Sequence, residues 1–152
     1  MKESEYLDGR TDLVQKLNDF PFLRNINDDH LLSMLQLSKL RTYEMDEVIT
    51  PEGVYDSWIY VLVYGEVKVT KGDSELARFN DSGDTFGELA ILDGEARSAT
   101  VSATIKTKCL AIDASFLDRL PVEERNGFYS IFYRMLAEIL SKRLRETGQE
   151  LA

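Results

Sequence analysis

FGELAILDGEARSATV, residues 86–101, holds the only lysine or arginine between Asn80 and Ile105, Arg97, set among Asp81, Asp84, Glu88, Asp93 and Glu95. Gly87 followed by the short helical run GELAIL leaves the first backbone N–H groups of a helix without partners, which makes an anion site. Arg97 adds a planar fork of donors able to hold two oxygens of one phosphate, which lysine cannot copy. Glu88 is itself anionic and a poor phosphate ligand, so its carboxylate is read as an acceptor for a sugar hydroxyl. The bland alternative for Arg97 is a surface ion pair with Glu95 or Asp93, worth about 0–1 kcal/mol.

Outward from this stretch, residues 39–113 are rich in β-branched and aromatic residues broken by glycines at 53, 65, 72, 83, 87 and 94. WIYVLVY is apolar on both faces up to Gly65. Val67 and Val69 then alternate with Glu66 and Lys68, which predicts adjacent strands with a bend or bulge at the glycine. KGDS, 71–74, reads as a hairpin turn, and SATVSA and TKCLAI as further strands. Short strands at this spacing predict an antiparallel β-roll or double-stranded β-helix jelly roll.

Helical spacing flanks the strands on both sides. Leu13, Val14, Leu17 and Phe20, a break at Pro21, then Leu31, Leu32, Met34 and Leu35 after the capping candidates Asn27 and Asp28 predict two short helices within 1–38. Asp113 caps a short helix in ASFLDRL, and Pro121 opens a long one. Phe128, Ile131, Phe132, Met135, Leu136, Ile139, Leu140 and Leu144 make its apolar surface wider than one seam, which predicts packing on its own domain and on something else. The expected organisation is a single domain, 1–152: helices in 1–38, a β-roll in 39–113, helices in 114–152.

The 152 residues carry a net charge of −9, which argues against a broad nucleic-acid face. No run approaches the ~18 apolar residues of a membrane span, and MKESEYLDGR has no signal-peptide core, so a soluble cytoplasmic protein is expected. The single cysteine, Cys109, alternates with Leu110 and Ile112 as a buried strand thiol and fits a reducing compartment. His30 reads as a solvated helix residue. No group has metal-ligand spacing, and no nucleophile, base and oxyanion site match, so no enzyme and no cofactor are expected.

The stretch 86–101 resembles the phosphate-binding cassette of the cyclic nucleotide-binding domain family, as found in catabolite activator proteins and protein kinase A regulatory subunits. Phe86, Gly87, Glu88, Leu89, Ala90 and Ile91, then LDGEA, then Arg97, Ser98, Ala99, Thr100 and Val101 match its fixed positions. The resemblance extends over nearly the whole chain and loosens upstream, where Asp46 stands at a common glycine. It implies a ligand site of Phe86, Gly87, Glu88, Leu89, Ala90, Arg97, Ser98 and Ala99. There Glu88 takes a ribose 2′-hydroxyl, Arg97 the cyclic phosphate, and the amides of Gly87, Ala90 and Ser98 complete the cradle. The ligand is expected to be cyclic AMP, with cyclic GMP the alternative because Ser98 can reach a guanine edge.

The family also implies a last helix that lids the base or carries the signal, here from Pro121 onward, with Arg143 and Arg145 as candidate caps on chemistry alone. No helix-turn-helix module fits before Ala152, so the expected partners are an unidentified effector protein or a second copy through the helix 122–146. Arg97→Ala is expected to abolish binding and leave the fold intact. The rival is an interaction or scaffold protein that keeps the cassette for folding and binds no nucleotide, or senses another small anion.

Overall fold

The computed structural model describes residues 1–146 apart from Pro21, Phe22 and Asn25, and leaves out the side chains of Phe116, Leu117, Phe128 and Ile131. The expected break at Pro21 and the Phe128 and Ile131 part of the last helix's apolar surface lie outside the described residues. Among the described residues, nine strands form two antiparallel sheets. One runs β1 (Lys2–Glu3), β2 (Ser38–Tyr43), β9 (Thr107–Asp113), β4 (Trp58–Tyr64), β7 (Thr85–Phe86). The other runs β3 (Val48–Thr50), β8 (Thr100–Ala103), β5 (Val67–Lys71), β6 (Ser74–Phe79).

The doubly apolar run in β4 follows from two cores. Tyr60 and Leu62 face the interior of the roll with Val67, Phe86, Val101, Cys109 and Ala111. Ile59 and Val61 face the other way, into a cluster with Leu110, Ile112 and the helices. Each fully buried aliphatic side chain contributes roughly 1.5–3 kcal/mol, and both faces of this sheet collect it.

Gly65 does more than bend a hairpin. The expected neighbours β4 and β5 lie in different sheets, and the chain crosses between them at Gly65, just past a register shift between Leu62 and Tyr64. Gly65 has φ 107, and a Cβ there would sit 2.3 Å from Thr107 Oγ1 and 2.7 Å from Thr107 Cα, so only glycine fits. The 71–74 hairpin falls where the sequence predicts it, between β5 and β6. Asp46, at the common glycine position, has φ 68, a left-handed conformation that aspartate tolerates better than most residues.

Helices cover the outer face of the five-stranded sheet. α1 (Thr11–Asn18) buries Val14 and Leu17; α2 (Asp28–Leu35) buries Leu31, Met34 and Leu35. The Asn27 side chain accepts the His30 N–H at 2.9 Å, a cap worth about 1 kcal/mol. Asp113 Oδ1 accepts the Ser115 N–H at 3.1 Å and so caps a 3₁₀ turn, Ala114–Arg119. α3 (Glu88–Asp93) lies in the cassette and α4 (Val122–Glu146) closes the described chain. α4 sets Phe132, Met135, Leu136 and Ile139 into the outer core and leaves Tyr133 and Leu144 exposed. No helix among the described residues is long and apolar enough to cross a membrane.

Candidate functional site

Phe86 fixes the entry to the cassette. It pairs with Tyr60 across β7 and β4, and its ring stacks on Tyr60 at 5.2 Å and on Phe79 at 6.5 Å between centroids. Gly87 then turns into α3 with φ 89. A Cβ on Gly87 would lie 2.9 Å from Arg97 Nη1 and 3.2 Å from the Trp58 carbonyl oxygen. The glycine that looked like a helix start is equally the clearance for the arginine.

Arg97 is 6% exposed, and its main partner is neither Glu95 nor Asp93. Its backbone is clamped by the loop after β3: Gly53 N–H donates to the Arg97 carbonyl at 2.8 Å, and Arg97 N–H to the Val54 carbonyl at 2.9 Å. Asp56 of the same loop takes the side chain. Nε donates to Asp56 Oδ2 at 3.2 Å, and Nη2 donates to Asp56 Oδ1 and, at 2.5 Å, to the Trp58 carbonyl. Nη1 donates to the Gly87 carbonyl at 2.6 Å. Four of a guanidinium's five N–H groups are thereby used, and one on Nη1 remains. Arg97 thus ties the 53–58 loop to the cassette, so a fold left intact by Arg97→Ala does not follow from this geometry.

Glu88 is 1% exposed. Its Oε1 accepts from Nη1 of Arg143, which comes from α4, while Oε2 has no partner among the described residues. The Arg143 guanidinium also lies 4.9 Å above the Phe79 ring, a cation–π contact. Burial pulls its pKa below the usual arginine range, partly offset by Asp84 and Glu146. Arg97 is the only cation of the 80–105 segment, and the fold brings a second one, Arg143, to the site. Arg145, the other candidate cap, lines a shallow surface groove with Arg134 and Ser141 instead.

These groups enclose a cavity of about 300 Å³. All eight residues expected from the sequence, Phe86, Gly87, Glu88, Leu89, Ala90, Arg97, Ser98 and Ala99, line it. So do residues that sequence reasoning missed: Thr50, Val69, Ala77 and Val101, which share one row across the four-stranded sheet, and Phe79. Asp56 was missed too, although an acidic residue in a loop ahead of an aromatic strand is its only local signal. A second cavity, of about 490 Å³, is lined by Ala90 and Ile91 of α3 and by Tyr129 and Phe132 of α4.

The first cavity offers recognition groups: a buried carboxylate with one open oxygen, two guanidinium groups, the Thr50 and Ser98 hydroxyls, and an apolar floor. Its described lining residues include no histidine, cysteine or lysine. Among the described residues, no group of three or more His, Cys, Asp or Glu side chains is placed to hold a metal ion.

The cyclic nucleotide-binding domain family matches residues 40–123, more than half of the chain. The regulatory subunit of cAMP-dependent protein kinase from Eremothecium gossypii is 31% identical over 110 residues, which are 71% of this chain and 24% of that protein. The cGMP-dependent protein kinase 2 of Rattus norvegicus is 29% identical over 128 residues, 82% of this chain and 17% of that protein. The chain thus spans about a quarter or less of the length of these curated relatives. Among solved structures, a cyclic nucleotide-binding domain from Methylobacillus flagellatus KT superposes with a TM-score of 0.76 at 19% identity, covering 97% of this chain and 90% of that one. At that identity the likeness speaks for the fold alone.

Proposed function

This chain belongs to the cyclic nucleotide-binding domain family, and we propose that it is a non-catalytic receptor for a 3′,5′-cyclic nucleotide, cyclic AMP in the first place. One observation carries the proposal: Glu88 Oε2, fully buried and unpartnered, and the last N–H of Arg97 belong to residues lining the same cavity. A cyclic nucleotide answers both, with a ribose hydroxyl for the carboxylate and an anionic phosphate for the guanidinium. The floor of Val69, Ala77 and Val101, with Phe79, suits the flat apolar face of a base, and Ser98 is the hydroxyl through which cyclic GMP would compete.

The route outward is proposed to be α4. Arg143 already holds Glu88, and the second cavity gives the cassette room to move toward Tyr129 and Phe132. A ribose hydroxyl on Glu88 competes with Arg143 for that carboxylate, so ligand binding and the position of α4 are linked. Val122, Tyr133 and Leu144 are the exposed large apolar residues among the described side chains of α4, and this helix is the surface proposed for an effector or a second copy of the chain.

The rival scaffold reading has one observation behind it, since both Glu88 and Arg97 have intramolecular partners. Thermal denaturation with cyclic AMP, cyclic GMP and linear AMP separates the two. A ligand at 100 times its dissociation constant adds about 2.7 kcal/mol. A shift with a cyclic nucleotide supports the receptor; no shift with any of the three supports the scaffold.

A further inference from the structure

Thr50 ends β3, lines the cavity, is 1% exposed, and its Oγ1 has no hydrogen-bond partner among the described residues. A buried hydroxyl without a partner forfeits its hydration for nothing. Valine has nearly the same shape without that cost and suits a strand at least as well. Folding alone therefore gives no reason for a hydroxyl at this position.

The register locates it. Thr50 opposes Val101, Val101 opposes Val69, and Val69 opposes Ala77, so one row across the sheet runs through three apolar side chains and ends in one hydroxyl. The Ala77 end continues along β6 to Phe79, beneath Arg143. The Thr50 end continues into the loop whose Gly53 and Val54 clamp the Arg97 backbone. The hydroxyl thus lies toward the Arg97 side of the cavity, and the apolar floor runs toward Phe79 and Arg143 on the α4 side.

We propose that Thr50 is a specificity-determining residue whose O–H donates to an anionic oxygen of the bound ligand, beside Arg97. An anionic oxygen only accepts, so the threonine proton points to the ligand, and Thr50 joins Arg97 in reading the charged end rather than the base. The inference rests on the receptor reading above and assigns that site a further ligand contact, made from β3 and outside the cassette.

Thr50→Val and Thr50→Ser test it, with calorimetric titration of cyclic AMP and ligand-free melting of each variant. Thr50→Val is expected to weaken binding about ten-fold or more, the scale of a hydrogen bond to a charged group. Its ligand-free melting temperature should hold or rise, because an unsatisfied hydroxyl is gone. Thr50→Ser should bind within about three-fold of the parent, the hydroxyl being kept. Parent-like affinity in Thr50→Val overturns the Thr50 assignment alone, since the parent then still binds. A lower ligand-free melting temperature in Thr50→Val with unchanged affinity marks a structural role and overturns it too. Absence of binding by the parent chain overturns the receptor reading and this inference together.

Discussion

Arg143, near the end of α4, donates to Glu88 at the head of α3, 55 residues earlier in the chain, and the same guanidinium covers the Phe79 ring. The helix that closes the described chain is thereby pinned to the carboxylate expected to read a ribose.

Loss of Arg143 leaves a fully buried carboxylate without its counter-charge. Breaking a buried pair from one side costs about 3–5 kcal/mol, and the Arg143 side chain is 28% exposed, so Arg143→Met is expected to lose about 2 kcal/mol. Urea unfolding of Arg143→Met, Glu88→Gln and the double variant should give a coupling of about 1 kcal/mol or more. Additive effects would mean that the pair does not hold α4 down.

Arg97 carries both the fold and the proposed ligand contact. Arg97→Ala strands Asp56 and removes the bonds to the Trp58 and Gly87 carbonyls, so about 3–5 kcal/mol of stability should go along with binding. Arg97→Lys is the cleaner variant, because it keeps the charge near Asp56 and lacks the fork. We expect a folded protein by circular dichroism with binding lost; retained affinity would remove the arginine from the site.

Gly87→Ala places a methyl 2.9 Å from Arg97 Nη1 at a backbone φ of 89. Strain at such a position costs about 1–3 kcal/mol, and the clash pushes Arg97 off its seat. Both melting temperature and nucleotide affinity are expected to fall, and a variant that lost neither would show that the close approach is dispensable.

Cys109 is fully buried in β9, and burial pushes its thiol up to about 12. A folded-state pKa raised above the ordinary thiol value stabilises the fold below about 9, and that contribution is lost as pH rises toward 12. An aromatic disulfide reagent at pH 8 should therefore leave the native thiol untouched and modify it on denaturation. Rapid stoichiometric reaction of the folded protein would contradict the burial.

The cassette was legible because its information is local: Phe86 to Val101 is one turn, one short helix and one strand start. The long-range partners were not. Asp56 and Arg143 reach Arg97 and Glu88 across 41 and 55 residues, and only the roll's topology brings them there. At Gly65 the strand pattern was right while the partner was wrong, because periodicity tells which faces are buried and not which sheet a strand joins. Thr50 looked like an ordinary β-branched residue, and its unpaired hydroxyl becomes visible only when its neighbours are known. Of the apolar surface expected on α4, Phe132, Met135, Leu136 and Ile139 are used by the chain's own core and Leu144 is exposed, because helical spacing tells which residues share a face and not what covers it.

Titration calorimetry of the parent chain with cyclic AMP and with its 2′-deoxy analogue decides whether this cavity is a cyclic nucleotide site read through Glu88. Saturable one-to-one binding of cyclic AMP is expected, and binding of the deoxy analogue weaker by about ten- to a hundred-fold, since Glu88 Oε2 is left without its hydroxyl. No heat of binding with cyclic AMP, or equal affinity for the two ligands, would contradict it.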